Sequence, residues 1–379
     1  MQTTVSHPLL ICLALALVVR LAFVFVVFPA IAPRMHLRED GDAYGQIAEA
    51  VREGEYVDVT RGPVYPVFLA VCGAPMVAKV VQALLDTMTV WLVFVLAGRR
   101  WEAAALWAVY PFAIWRVAFI GKETMTAFLL AGYVCVQVAA FRGRRAWLWL
   151  AAGGLLAVVN LCKPTFLAWP VLVLALAYLH RVPLSRVAML VAGMVMLVAP
   201  WTYRNYVVTH GAFVPVATER GGVTTFIGNY QPTLGLWEGP GKSEWMLAVQ
   251  EIESGHPGAS VVELDRIFYR AAWEEMARDP LKAVEICARK CVRFWFESAA
   301  RRIGIGAVLV QAVFLGLLGI GLRRGWPWDV DSVLALTLIA YVMLVHALSY
   351  ADLRFSLAVM PLVCALAASA FHARARRTE

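Results

Sequence analysis

Apolar runs of about twenty residues, cut by short charged or proline-bearing stretches, recur along this chain almost from end to end. The first covers Leu9 to Ile31, and others lie near 75–98, 102–120, 123–141, 146–162, 164–180, 187–203, 304–322, 331–350 and 355–372. A helix of roughly twenty such residues crosses the ~30 Å hydrocarbon layer of a bilayer. The pattern predicts an all-α integral membrane protein with about ten transmembrane helices. Proline at 111, 164 and 200 interrupts short runs, so two of the ten could merge. The first run lacks an early basic segment and a small-residue cleavage signal, and reads as a retained span.

A composition of 61% hydrophobic and 16% charged residues, with mean hydropathy +0.69, leaves charge only for short punctuating stretches. Each of these can be read as a loop, an interface or a site. Basic clusters fall in alternate loops: Arg99 with Arg100, Arg142 with Arg144 and Arg145, Arg181 with Arg186, Arg323 with Arg324, and Arg374 with Arg376 and Arg377. The positive-inside rule makes that side cytoplasmic, together with both termini. The same bias accounts for much of the net charge of +8, which therefore does not point to nucleic acid. An N-terminal transmembrane module is expected over 1–203, with a first outer loop at 32–74. An extracytoplasmic region follows over 204–303, and a C-terminal transmembrane module over 304–379.

Once the cytoplasmic clusters are set aside, ionisable residues collect on the outer face. They are Asp40, Asp42, Arg61, Lys122, Glu123, Lys163, Arg204, Asp352 and Arg354. Charge beside lipid is expensive unless it is paired or used. Mixed-sign residues at several span ends can converge on one anionic ligand, although each alone could equally be an interfacial anchor.

Four stretches carry a family resemblance. They are "EDGDAYGQIAEAVREGEY" from Glu39, "RGPVYPVFLA" with Arg61 and Tyr65, "PWTYRNYVVTHGAFVPVATERGGVTTFIGN" over 200–229, and "SYADLRFSLAVMPL" over 349–362. In this order they resemble the bacterial members of glycosyltransferase family 39, which includes protein O-mannosyltransferases and the lipid A aminoarabinose transferase. The resemblance implies the multispanning GT-C fold in a bacterial inner membrane. It also implies an inverting enzyme that moves a sugar from a polyprenyl-phosphate donor to an acceptor hydroxyl on an envelope lipid, glycan or protein. Family members place a catalytic Asp four residues before an aromatic of the first outer loop. Tyr44 then puts Asp40 at that position, with Asp42 as the second candidate.

An acceptor hydroxyl is a poor nucleophile at neutral pH until a carboxylate takes its proton. The lipid phosphate is already a good leaving group and needs cations rather than an acid. Arg61 and Arg204 lie inside the family-like motifs and are the leading phosphate ligands, followed by Lys122, Lys163 and Arg354. The pair Lys122-Glu123 departs from the family's commoner Thr-Glu or Asp-type pattern, and Lys163-Pro164 from a frequent Arg-Pro.

Residues 206–258 are rich in Gly, Thr, Val and Pro and read as short extended pieces and turns. Residues 260–278 and 281–298 read as amphipathic helices split at Asp279-Pro280, the second an interfacial helix lying against lipid. This region is either a structural cap or an acceptor-side lid. His346, in the ninth run, faces either the core or a cavity and reads first as a core histidine. "EDGD" lacks further well-placed carboxylates, so no metal or other cofactor is assigned. The seven cysteines show neither zinc-site nor disulfide spacing. A lipid-linked glycan transporter or flippase remains as an alternative, as does a non-catalytic envelope-assembly subunit.

Overall fold

The apolar runs fold as helices in the computed structural model, which describes residues 7–32, 41–143, 145–237, 242–297, 304–325 and 329–372. Asp40, Arg144, Arg374, Arg376 and Arg377 lie outside the described residues, as does the side chain of Asp42. The first part of the chain forms α1 (His7–Ile31), α2 (Gly41–Glu53), α3 (Val64–Cys72), α4 (Pro75–Leu96) and α5 (Trp101–Ala108). It continues with α6 (Pro111–Arg116), α7 (Glu123–Arg142), α8 (Trp147–Cys162), α9 (Pro164–Leu179) and α10 (Leu184–Val208). Then come α11 (Gly221–Asn229), α12 (Lys242–Ser254), α13 (Val261–Arg278) and α14 (Pro280–Phe296). The last four are α15 (Ile305–Arg324), α16 (Val330–Leu348), α17 (Leu353–Ser356) and α18 (Met360–Phe371).

Six of these, α1, α4, α7, α10, α15 and α16, are long and apolar enough to cross a membrane, while α8, α9 and α18 are apolar but shorter. The architecture is that of an α-helical membrane protein. The run at 102–120 is not one helix, because Tyr110 is extended ahead of Pro111 and the chain restarts there as α6. A proline cannot continue the preceding helix but suits the first turn of a new one. Pro200, by contrast, is absorbed inside α10.

The main core holds Trp107, Trp149, Trp169 and Tyr133, all fully buried. Their polar tips are satisfied inside the apolar interior: Trp149 Nε1 donates to the Ala140 carbonyl at 3.1 Å and Trp169 Nε1 to the Tyr133 hydroxyl at 2.6 Å. Helices α8 and α10 touch backbone to backbone. A Cβ at Gly153 would stand 2.0 Å from the Leu190 carbonyl oxygen, and one at Gly193 would stand 2.2 Å from that of Leu150. Small residues of this kind let membrane helices approach where no hydrophobic drive separates protein from lipid.

Two charges sit inside the apolar layer, where the sequence analysis placed none. Arg20 of α1 and Asp86 of α4 form a fully buried ion pair. The Arg20 guanidinium also donates to the Ala108 carbonyl at 2.9 Å and the Trp107 carbonyl at 3.2 Å, and so takes up carbonyls at the end of α5. One arginine therefore joins α1, α4 and the broken α5–α6 segment.

The region between α10 and α15 differs from expectation. Residues 206–258 contain α11, a short 3-10 turn and α12, and the described residues there include no strand. The apolar residues Val223, Phe226 and Ile227 follow helical spacing and pack with Trp245 and Phe268 into a small core of their own. The expected break at Asp279-Pro280 is present, with Asp279 capping α14 through the Lys282 N–H. Part of the charge of α14 faces inward, however, while Glu285 and Arg289 stay exposed. Lys290 and Arg293 are buried, whereas Leu281, Val284 and Val292 are exposed. Lys290 Nζ donates to Asn229 Oδ1 at 2.8 Å and to the Ser349 carbonyl at 3.0 Å. Arg293 donates to the carbonyls of Leu234 and Gly235. Lys290 thus binds α14 to the end of α11 and to the turn between α16 and α17, and Arg293 binds it to the loop after α11.

Candidate functional site

Charged side chains from five separate segments meet in one cavity of about 1540 Å³. Ordinary small-molecule pockets occupy ~300–1,000 Å³, so this one has room for two substrates or for a head group with part of a tail. Arg61, Arg116, Lys122, Lys163 and Arg354 line it, with Glu123, Glu219 and Asp352 among them. Away from these charges the wall is apolar and aromatic, with Tyr110, Phe112 and Trp115 on one side and Trp245, Phe268 and Trp273 on another.

Local geometry explains why each cation faces inward. Arg61 sits on a loop whose backbone is folded by Asp58: its Oδ2 accepts from the Arg61 N–H at 2.9 Å and the Thr60 N–H at 3.1 Å. Next to it, a Cβ at Gly62 would lie 2.3 Å from the Leu161 carbonyl oxygen, so glycine is what lets this loop press against the end of α8. Lys163 stands in the bend just after that end, with its ammonium 4.4 Å from the Phe355 ring centre and 3.4 Å from His346 Nε2. Lys122 precedes the first residue of α7. Glu123 opens that helix, where the backbone N–H groups favour an anion, and accepts from Arg116 at 2.6 Å. Arg354 lies in α17, whose first turn is capped by Asp352 through the Arg354 N–H at 3.0 Å.

The expected site residues separate into two groups. Arg61, Lys122, Glu123, Lys163, Arg354 and Tyr44 line the cavity. Tyr44, from α2, presents its ring 5.7 Å from the Arg61 guanidinium and packs edge-on against Tyr65 at 4.9 Å. Tyr65 itself is fully buried and donates to Gln82 Oε1 at 2.7 Å, so it supports Tyr44 from beneath and does not line the cavity. Arg204 is a correction. It is absent from the cavity wall, donates to the Asp58 carbonyl at 3.0 Å and to the Tyr56 carbonyl, and stacks on Tyr56 and Trp201. A guanidinium occupied by backbone carbonyls holds the loop that presents Arg61, outside the cavity wall.

Arg116 and Glu219 were not singled out as site residues but belong to the wall, as do Arg220, Glu253 and Asp265; His346 is buried and also lines the cavity, stacked 4.2 Å from Phe355. Glu219 lay inside the quoted 200–229 stretch but in a loop where a lone charge carries no signal. Burial and the nearby Lys122 lower the Lys163 ammonium from its ordinary range to about 7. No protein-family model matches this chain, and no curated protein matches it either. The cavity offers a cluster of cations to an anion and an apolar wall to a hydrocarbon tail.

Proposed function

We propose that the protein is a membrane glycosyltransferase that takes a sugar from a polyprenyl-phosphate donor and passes it to an acceptor hydroxyl. The observation that carries this reading is the pairing of Arg61, Lys122, Lys163 and Arg354 with an aromatic and apolar wall in a single cavity. A phosphate on a hydrocarbon tail needs both surfaces together. In this mechanism a carboxylate of the first loop, Asp40 or Asp42, removes the acceptor proton as its oxygen attacks the anomeric carbon. The bond from that carbon to the phosphate oxygen breaks, and polyprenyl phosphate leaves with the electron pair. Cations around that oxygen lower the barrier because they bind the charge as it develops.

The same reading takes the fold to be of the GT-C type, with about ten spans, the cavity on the extracytoplasmic face and both termini inside. Impermeant thiol reagents should then reach cysteines introduced in 206–237 from outside intact cells; labelling only after permeabilisation would reverse the orientation and remove the donor from reach. Mass spectrometry of envelope lipids from a deletion strain should show one polyprenyl-phosphate sugar accumulating relative to the parent. An unchanged pool of such lipids would count against the enzyme.

Donor binding should depend on pH through Lys163. In the empty cavity its ammonium loses its proton near pH 7, with Lys122, Glu123, Glu219, Arg354 and His346 around it. A bound phosphate favours the charged form and raises that value. Affinity is therefore full below about pH 7 and falls as the pH rises, by up to about tenfold per unit, until the bound-state value is reached. Donor affinity measured from pH 6 to 9 should show this slope, and Lys163→Arg, whose charge is fixed, should flatten it. Identical profiles in both proteins would mean that Lys163 does not face the phosphate.

A further inference from the structure

Glu219 has the surroundings of a bound anion. Its Oε2 lies 2.5 Å from the Lys122 ammonium and 3.8 Å from the Arg61 guanidinium, and its Oε1 accepts the Gly62 N–H at 3.3 Å. An ammonium, a guanidinium and a backbone N–H are the donors that phosphate oxygens take. None of the three side chains is sealed: Lys122 is 14% exposed, Arg61 20% and Glu219 20%, all on the cavity wall. A ligand can therefore reach the same cations.

The backbone is held in an uncommon shape to deliver this carboxylate. Glu219 and Arg220 have φ of 53° and 51°, the left-handed region, which non-glycine residues seldom enter and here occupy in succession. Hydrogen bonds fix the loop against the Arg61 segment, from the Thr218 N–H to the Val59 carbonyl at 2.9 Å and from the Glu219 N–H to the Thr60 carbonyl at 3.0 Å. Strain retained beside a cavity is a reason to look for a task.

We propose that Glu219 is an internal occupant of the phosphate seat, exchanged for the lipid phosphate in each catalytic cycle and returning to Lys122 and Arg61 to expel the product. This rests on the glycosyl-transfer reading and adds a regulation of its site. The chemistry gives the exchange a purpose. The donor is a phosphodiester with one negative charge, whereas the released phosphomonoester carries roughly 1.5 to 2 at pH 7. A seat of bare cations would hold the product more tightly than the donor, and each turnover would end in inhibition. A tethered carboxylate competes with both ligands and keeps the product exchangeable.

The test uses full-length protein in phosphatidylcholine nanodiscs, with polyprenyl phosphate of defined chain length as the probe. Glu219→Gln keeps the shape and removes the charge. Its dissociation constant for polyprenyl phosphate should fall by roughly tenfold, because a competing anion has been removed from the cations. At saturating donor, single-turnover transfer should fall less than steady-state turnover, which drops as product inhibition strengthens. A purely structural ion pair would weaken binding and both rates together. Glu219→Asp keeps the charge but shortens the reach, and should give a smaller tightening; it serves if the glutamine variant does not fold. Equal or weaker binding of polyprenyl phosphate by the variants would overturn the proposal. Absence of binding by the unaltered protein would instead overturn the donor reading on which it stands.

Discussion

Asp40→Asn is expected to lower turnover by about 100-fold or more while leaving donor binding in place. Asparagine keeps the size and much of the hydrogen bonding of aspartate but cannot accept the acceptor's proton as attack proceeds. The step then has to expel the phosphate against an unactivated hydroxyl. Tyr44 of α2, four residues further on, borders the cavity against Arg61. Asp42→Asn should be milder. Arg61→Ala should act differently, weakening the hold on the phosphate and slowing turnover to the extent that this contact strengthens in the transition state. Transfer and binding measured on these three variants separate the roles. Collapse in Asp42→Asn with near-normal turnover in Asp40→Asn would move the base two residues along. Normal turnover in both would end the claim that this loop is catalytic.

The largest effect on stability is expected at the buried pair of α1 and α4. Asp86→Ala leaves the Arg20 guanidinium charged inside an apolar core with only the carbonyls of Ala16, Trp107 and Ala108 as partners. Breaking a buried ion pair by removing one partner costs about 3–5 kcal/mol. The double change Arg20→Met with Asp86→Leu should recover part of that loss, since no charge is stranded. Recovery should be incomplete, because the carbonyls at the end of α5 lose their donors. Unfolding by denaturing detergent, followed for the two variants and the parent, measures the difference. If the single variant were as stable as the parent, the pair would not be a structural clamp.

Much of the cavity was legible because a bilayer makes unpaired charge expensive. Arg61, Lys122, Lys163 and Arg354 stood out at span ends for that reason, and they converge. The same rule misplaced Arg204, since a sequence does not distinguish a cation that faces a ligand from one bound to nearby carbonyls. Arg20 and Asp86 were hidden by the opposite effect. Two charges 66 residues apart, each inside a long apolar run, look like isolated blemishes until folding pairs them. Glu219 carried no signal because loops tolerate charge freely; only its left-handed backbone and its partners mark it out. In 206–258 the glycines and threonines outweighed a helical spacing at Val223, Phe226 and Ile227, and packing against Trp245 and Phe268 decided the matter. The number of spans was harder to read than their existence, because Pro111 ends one helix while Pro200 is accommodated within another.

The four cations come from points spread over nearly three hundred residues, from Arg61 to Arg354. During synthesis the chain enters the membrane in order, so the segments carrying Arg61, Lys122 and Lys163 are in place before the segment carrying Arg354 has been made. An unfinished chain therefore presents an incomplete seat. A product terminated before Arg354 would lack one of the four cations and could not close the full cluster around an anion.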